Sequence, residues 1–389
     1  MAENRNEMKH KKNITSRGEV LGFIWQVFFK ILIVVLVLVI LAVFALASVC
    51  KTVADGPSQT ARDMLVLSAL QASATKWVPG LFLDDDTVQS ILDKSGERVI
   101  EEVDFDDIKP DDPDEEQNGT GDVTHDEWEG NEDGIILDIV VRSTFKAYVM
   151  LVKDPTRVYT GVSTNDFSSA KRGERIYVAA ERQGAVAAIN AGEFEDSGGM
   201  GSGATPMGMT VSNGKIVWND GLKRTFIGFD HDNKLVVKEG ITKAEVESLR
   251  IRDGVSFQKG NALIETVNGS TIAYTGSGDL GVAQRTAIGQ RADGAVIMIV
   301  TDGRTANSLG ATRDDVINLM LKYGAVCAGM LDGGSSAMMY YADYAEKYNV
   351  DESELDEYQK LGVVNKYKAF TKPRYLPTFF MVKAVEDGE

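Results

Sequence analysis

The sequence predicts an α+β protein: a single mixed, β-rich, catalytic-type domain preceded by a transmembrane helix and a helical stalk. Three observations carry this reading. An unbroken apolar run, ILIVVLVLVILAVFALASV, occupies residues 31–49. Short β-like segments separated by turn dipeptides fill the chain from about Gly134 onward. One well-capped helical pattern interrupts them at Thr312.

The apolar run holds nineteen residues without a charge. At 1.5 Å per residue it extends about 29 Å, the thickness of a bilayer core. It is too long for a signal-peptide core, and no A-x-A-like cleavage site follows. Lys9, Lys11, Lys12, Arg17 and Lys30 precede it, whereas Lys51 alone lies close behind. The positive-inside bias puts residues 1–30 in the cytoplasm as a basic tail, residues 31–50 across the membrane, and the body outside as a single-pass protein.

Residues 51–100 are read as a helical stalk. Met64, Leu67, Leu70 and Ala74 recur near the helical period, and Asp84-Asp85-Asp86-Thr87 can open a second short helix. Residues 101–134 follow as an acidic, disordered linker with sixteen acidic residues against one lysine. That local charge of −15 accounts for most of the chain's net −17. The acidity therefore belongs to a segment, and it argues against nucleic acid as a partner.

The domain is placed at residues 135–389. STFKAYVMLVKD, RIYVAA and AVAAIN read as strands. Asn213-Gly214, Asn268-Gly269 and Ala292-Asp293-Gly294 each separate two β-like runs as hairpin turns. Thr312 with Asp315 makes a capping box, Val316, Leu319, Met320 and Tyr323 form the apolar stripe, and Gly324 stops the helix. AVCAGML then reads as a strand buried on both faces. Cys50 and Cys327 are too few for a disulfide framework. Three histidines, His10, His125 and His231, assemble no metal site or Ser-His-Asp triad, which leaves acid–base chemistry to carboxylates.

Three stretches carry candidate chemistry. In Leu331-Asp332-Gly333-Gly334-Ser335-Ser336, an acid stands where a buried strand ends. The glycines leave room for a ligand, and the serines supply hydroxyls and N–H groups suited to a phosphate. In AVAAINAGEFEDSGGMGSGATPMG, Asn190 offers hydrogen bonds to a sugar, and Phe194 offers a face to a sugar ring. Gly192, Glu193 and Asp196 stand between and beyond them, with Gly198, Gly199, Gly201 and Gly203 in a glycine-rich loop. In Gln284-Arg285-Thr286, the Arg285 fork suits a phosphate. Asp302-Gly303-Arg304 closes the following hairpin and adds a second acid.

The ordered set INAGEF, TPMGMTVSNGKIV, RTAIGQRADGAVIMIVTDGR, the Thr312 helix and LDGGSS resembles the phosphodiester glycosidase family, from about Ser143 to the C-terminus. The family pattern Asn-Gly-Gly-Phe-Phe appears here as Asn190-Ala191-Gly192-Glu193-Phe194. Asn190, Gly192, Arg285, Thr286, Asp332, Gly333, Gly334 and Ser336 match. The resemblance implies hydrolysis of a sugar 1-phosphodiester such as one of N-acetylglucosamine, in envelope or exopolysaccharide metabolism. The expected catalytic residues are Asp332, with Glu193 or Asp302 as second carboxylate. Substrate is expected at Asn190, Gly192, Phe194, Arg285, Thr286, Gly333, Gly334, Ser335 and Ser336. The expected partners are a glycosyl phosphate or envelope polysaccharide, and the membrane through one helix. No cofactor is expected, although a loosely held divalent cation shared by Asp302, Asp332 and Glu193 stays open. The alternative reading is a non-catalytic scaffold that binds an envelope glycan or sugar phosphate.

Overall fold

The chain folds as two units, residues 1–65 and 66–389, in a computed structural model. It describes residues 3–70, 75–95, 99–102, 128, 131–196, 201–275, 281–303, 305, 308–342, 344–365 and 372–385. The acidic segment 103–127, the loop glycines Gly198 and Gly199, and Arg304 lie outside the described residues.

The first unit is dominated by one uninterrupted helix, α1 (Glu3–Ala54). Its stretch Gly22–Ala54 has a mean hydropathy of 3.4 and is long and apolar enough to cross a membrane. The predicted span 31–49 falls inside it. Apolar side chains such as Phe23, Leu36 and Leu46 are exposed all round, as expected for a helix whose solvent is not water.

In the second unit, the last turn of α2 (Gln59–Leu70) and α3 (Asp85–Ser95) contribute Val66, Leu67 and Ile91 to a small apolar cluster. The Asp84 carboxylate accepts from the Thr87 amide at 2.7 Å, which caps α3 where the sequence predicts it. The strands in chain order are β1 (Val99–Glu102), β2 (Ile135–Val141), β3 (Lys146–Val152), β4 (Val158–Val162), β5 (Ala185–Asn190), β6 (Met209–Ser212), β7 (Lys215–Asn219), β8 (Thr225–Asp230) and β9 (Leu235–Glu239). They continue with β10 (Ile251–Phe257), β11 (Ala262–Val267), β12 (Ser270–Thr275), β13 (Thr286–Arg291), β14 (Val296–Thr301), β15 (Ala325–Leu331), β16 (Met339–Tyr341) and β17 (Thr378–Lys383).

They form an eight-stranded sheet in the order β1-β12-β11-β15-β13-β14-β3-β2, a five-stranded sheet β7-β6-β10-β8-β9 and a four-stranded sheet β16-β5-β17-β4. Because β1 pairs with β12, the body's sheet recruits residues upstream of the predicted 135 boundary. All three predicted hairpins form, at β6–β7, β11–β12 and β13–β14. Asn213 and Gly214, like Asn268 and Gly269, take the positive φ that a two-residue turn requires.

One apolar core lies among the three sheets, fed by Tyr148, Met150, Ile189, Ile227, Phe229, Val255, Ile288, Ile299 and Phe380. The four-stranded sheet shows the period of two. Phe380 and Val382 of β17 enter this core, while Phe379 and Met381 face a second cluster on the opposite side.

That second cluster holds a correction. The predicted strand RIYVAA folds as helix α4 (Ile176–Gln183), ended by Gly184 in the left-handed region at φ 64°. Ile, Tyr and Val favour strands locally, but Ile176, Ala179 and Ala180 fall on one helical face and bury fully against the sheet. Burying Ile176 alone contributes about 1.5–3 kcal/mol, more than the propensity deficit. Beyond α5 (Lys243–Ser248), helix α6 (Arg313–Lys322) covers the large sheet. Both halves of its capping box form: Thr312 Oγ1 accepts from the Asp315 amide, and the Asp315 carboxylate accepts from the Thr312 amide. Val316, Leu319, Met320 and Tyr323 are buried as predicted, and Gly324 follows at φ 80°.

Candidate active site

The strands β5 and β15 end side by side, and the chain ahead of β17 crosses close to both. The site is built at this junction of two sheets. Asp332 follows the last residue of β15, and its amide donates to the Ala191 carbonyl at 3.0 Å. Gly333 is packed so closely that a Cβ would lie 2.7 Å from the Gln284 carbonyl oxygen. Gly334 takes φ 59°, and a Cβ there would meet nothing within 4 Å. The first glycine is therefore required by packing, and the second faces open space, as a ligand approach needs. The turn uses some of its own amides: Gly334 donates to Gln284 O and Ser336 to Gly333 O.

Asn190 holds this arrangement in place. It is 1 % exposed. Its Oδ1 accepts from the Thr286 hydroxyl at 2.8 Å and from the Met338 amide at 3.0 Å, and its Nδ2 donates to the Asp332 carbonyl at 2.6 Å. One amide thus ties the ends of β5 and β15 to the start of β13 and to the residue before β16. The predicted sugar contact at Asn190 is corrected to a positioning role, with Thr286 as its partner. Gly192 is likewise structural. Its amide donates to Thr378 Oγ1 at 3.0 Å, and a Cβ would press on Val255 and Ser256.

The Asp332 carboxyl is the most perturbed acid of the site. Burial pushes it up to about 7, and the nearby Glu193 and Asp196 charges push the same way. A hydrogen bond from the Ser336 hydroxyl and the Arg374 charge oppose the rise. Glu193 also sits above its ordinary range, because burial outweighs its ion pair with Arg224. Asp196 lies below its range, held there by Arg374. Carboxyls pushed in opposite directions within one junction mark a site that can hold and move a proton.

Arg374, which the sequence reading missed, is the cation of this junction. Its fork donates bidentately to Asp196 at 2.8 Å on each arm and comes within 3.4 Å of Ser335 Oγ. The guanidinium lies 4.9 Å over the Phe194 ring. Phe194 is 4 % exposed and part of the second cluster, so its face carries Arg374 and is not open to a sugar. The only signal for Arg374 was a basic residue between Pro373 and Pro377, just ahead of an apolar strand.

Two predicted residues go elsewhere. Arg285 is buried and donates to the Gly281 and Ala311 carbonyls at 2.6 and 3.2 Å. Successive side chains on an extended chain point to opposite faces, so once Thr286 turns to Asn190, Arg285 turns away from it. Asp302 accepts from the Lys146 amide and the Ser308 hydroxyl, both at 2.8 Å, and fastens the end of β14 to β3. The second carboxylate beside Asp332 is therefore Glu193, joined by Asp196. Among the described residues, no three His, Cys, Asp or Glu side chains are arranged to hold a metal ion. The cation site drawn from Asp302, Asp332 and Glu193 is not assembled.

A family model described as phosphodiester glycosidase matches residues 183–383, just over half of the chain. The match spans β5 to β17 and so contains every residue of the junction. An uncharacterized SPbeta prophage-derived protein of Bacillus subtilis, YomE, is 28% identical over 215 residues, which cover 51% of this chain. The chain spans only 29% of the length of that relative. Among solved structures, the zebrafish N-acetylglucosamine-1-phosphodiester alpha-N-acetylglucosaminidase catalytic domain, auto-inhibited by its pro-peptide, is 18% identical with a TM-score of 0.48. The aligned region covers 65% of this chain and 83% of that one. A putative exported protein of Burkholderia pseudomallei is 15% identical with a TM-score of 0.41, covering 61% and 74% of the two chains.

Proposed function

We propose, for a chain that belongs to the phosphodiester glycosidase family, a membrane-anchored hydrolase that releases a sugar from a sugar 1-phosphodiester outside the cytoplasmic membrane. The observation that carries this reading is the Asp332 carboxyl, raised to about 7 at a strand end beside a glycine facing open space. The apolar stretch of α1 supports the anchor, and the lysines and arginines ahead of the apolar run 31–49 support an external body.

The bond to be broken joins the anomeric carbon to a phosphate oxygen. It passes through an oxocarbenium-like transition state. The phosphate side departs as a monoester, whose second pKa near 6 makes it a good leaving group without a strong general acid. Ionised Asp332 takes the proton of the attacking water as the water oxygen bonds to the anomeric carbon and the carbon–oxygen bond to phosphate breaks. Ser336 holds the carboxylate by its hydroxyl, and Asn190 fixes the backbone that carries it. Arg374, within 3.4 Å of Ser335 Oγ, is the group assigned to the departing phosphate in this reading. N-acetylglucosamine is the sugar the family resemblance favours, and envelope or exopolysaccharide polymers are the proposed source.

The test is sugar release from an N-acetylglucosamine 1-phosphodiester by the detergent-solubilised chain in ¹⁸O-labelled water. The expected result is label on the sugar, none on phosphate, and loss of release in Asp332→Asn. Label on phosphate would overturn the carbon–oxygen cleavage. Tight ligand binding with no release by the wild type would replace the enzyme with a binding scaffold.

A further inference from the structure

One basic surface adjoins the junction and takes no part in the chemistry above. Tyr375, next to Arg374 in the chain, carries two guanidinium groups on its ring: Arg172 at 4.2 Å and Arg175 at 4.9 Å from the centroid. The backbone locks this cluster to the site. Glu174 and Leu376 form an antiparallel bridge, with amide-to-carbonyl distances of 3.0 and 2.8 Å in the two directions. A Cβ on Gly203 would lie 1.9 Å from the Tyr375 carbonyl oxygen, so that position accepts no larger residue. Lys171, Arg172 and Lys372 are exposed and form no ion pair with a described carboxylate. Arg175 stands at the N-cap of α4 with no side-chain cap, and its Nε is buried without a partner. The positive end of the helix dipole adds to the same surface.

Like charges are costly to gather unless something offsets them. Two neighbouring cations of the body are held in ion pairs, Arg182 with Glu174 and Arg374 with Asp196. Here Arg172 and Arg175 gather on one aromatic ring next in the chain to the arginine that touches Ser335, with exposed Lys171 adjoining Arg172 and exposed Lys372 two residues before Arg374. We propose that this arc is a subsite for an extended anionic polymer, whose successive phosphates lie over Lys372, Arg172 and Lys171 while its sugar-bearing end reaches Asp332. This rests on the glycosyl phosphodiester reading for the end group alone; the grip on the polymer does not depend on turnover. A polymer is favoured over a lipid headgroup because the arc is continuous with the site through Arg374 and Tyr375.

The experiment measures binding of a fluorescein-labelled poly(glycerol phosphate) to the detergent-solubilised full chain by fluorescence anisotropy, across a range of salt. Turnover of a small sugar phosphodiester is read in parallel. The wild type is expected to bind the polymer at least about tenfold more tightly than glycerol 3-phosphate, with an affinity that falls steeply with salt. The variant K171Q/K372Q spares the guanidinium groups on Tyr375. It is expected to lose about fivefold or more in polymer affinity, to flatten the salt dependence by about one and a half to two powers, and to keep turnover of the small substrate. Adding R172Q deepens the loss of affinity. Polymer binding no tighter than the monomer, or unchanged in K171Q/K372Q, would overturn the subsite. So would displacement of the polymer by phosphatidylglycerol micelles at equal phosphate. Normal polymer binding without sugar release from any substrate would uphold the subsite and sink the glycosidase reading.

Discussion

Asp302-Gly303 and Asp332-Gly333 are the same dipeptide at the same edge of the same sheet. Their strands, β14 and β15, both pair with β13, and Thr286 at its start stands opposite Val300 on one side and Leu331 on the other. The two acids nonetheless have opposite fates. Asp302 accepts from a backbone amide and a hydroxyl, a set of partners that fastens a turn. Asp332 is half-buried, with Ser336 as its hydrogen-bond donor and with two further carboxylates acting on it, so its ionised form is poorly stabilised. What separates them is what packs against each strand end. Beside β15 lie Asn190, the Glu193–Arg224 pair and the chain carrying Arg374.

This comparison is testable, beginning with its largest effect. Asp332→Asn should lower kcat on a sugar 1-phosphodiester by about 10²–10⁴-fold, the usual worth of a positioned general base. Asp302→Asn should leave kcat within about threefold, because the group does not take part in the chemistry. Equal losses in the two variants would erase the distinction. Asn190→Leu should cost about 1–3 kcal/mol of stability by stranding buried polar partners. It should also lower kcat with little change in KM, since it shifts the carboxylate and removes no ligand contact; thermal denaturation and steady-state kinetics separate the two effects.

A smaller effect concerns stability against pH. The folded-state pKa of Asp332 is raised, so between pH 4 and 7 the native chain holds a proton that the unfolded chain has lost. Wild-type stability should therefore decline across that window relative to Asp332→Asn, which has no such proton. A melting-temperature difference between the two that stays constant from pH 4 to 7 would contradict the raised value. The smallest effect is at Asp302→Ala, expected to cost about 1 kcal/mol through two lost acceptor bonds, with activity intact.

Legibility in the sequence followed the range of the interactions. Asn213-Gly214 and Asn268-Gly269 were readable because the turn's backbone requirement is met by the two residues themselves. The Thr312–Asp315 cap was readable for the same reason. RIYVAA was misread because six residues hold less than two helical turns, and its helical face is decided by a sheet formed elsewhere. In the turn after β15, Gly333 and Gly334 were legible as glycines because close packing at the first and a positive φ at the second are local requirements. Arg285 and Arg374 were not distinguishable, since which arginine faces Asp332 depends on strand alternation at residue 286 and on a crossing segment about forty residues downstream of the acid. Asn190 was found, but its role was hidden: its three side-chain partners, Thr286, Asp332 and Met338, all lie about a hundred residues or more downstream.

The most direct test is the pH dependence of kcat/KM for sugar release, from pH 4 to 9, in the wild type and in Ser336→Ala. The base must be ionised to act, so the rate should rise with pH through an inflection near 7. The Ser336 hydroxyl favours the ionised form, so its removal should move that inflection to higher pH. A wild-type inflection near 4, or one that Ser336→Ala leaves in place, would contradict Asp332 as the working carboxylate.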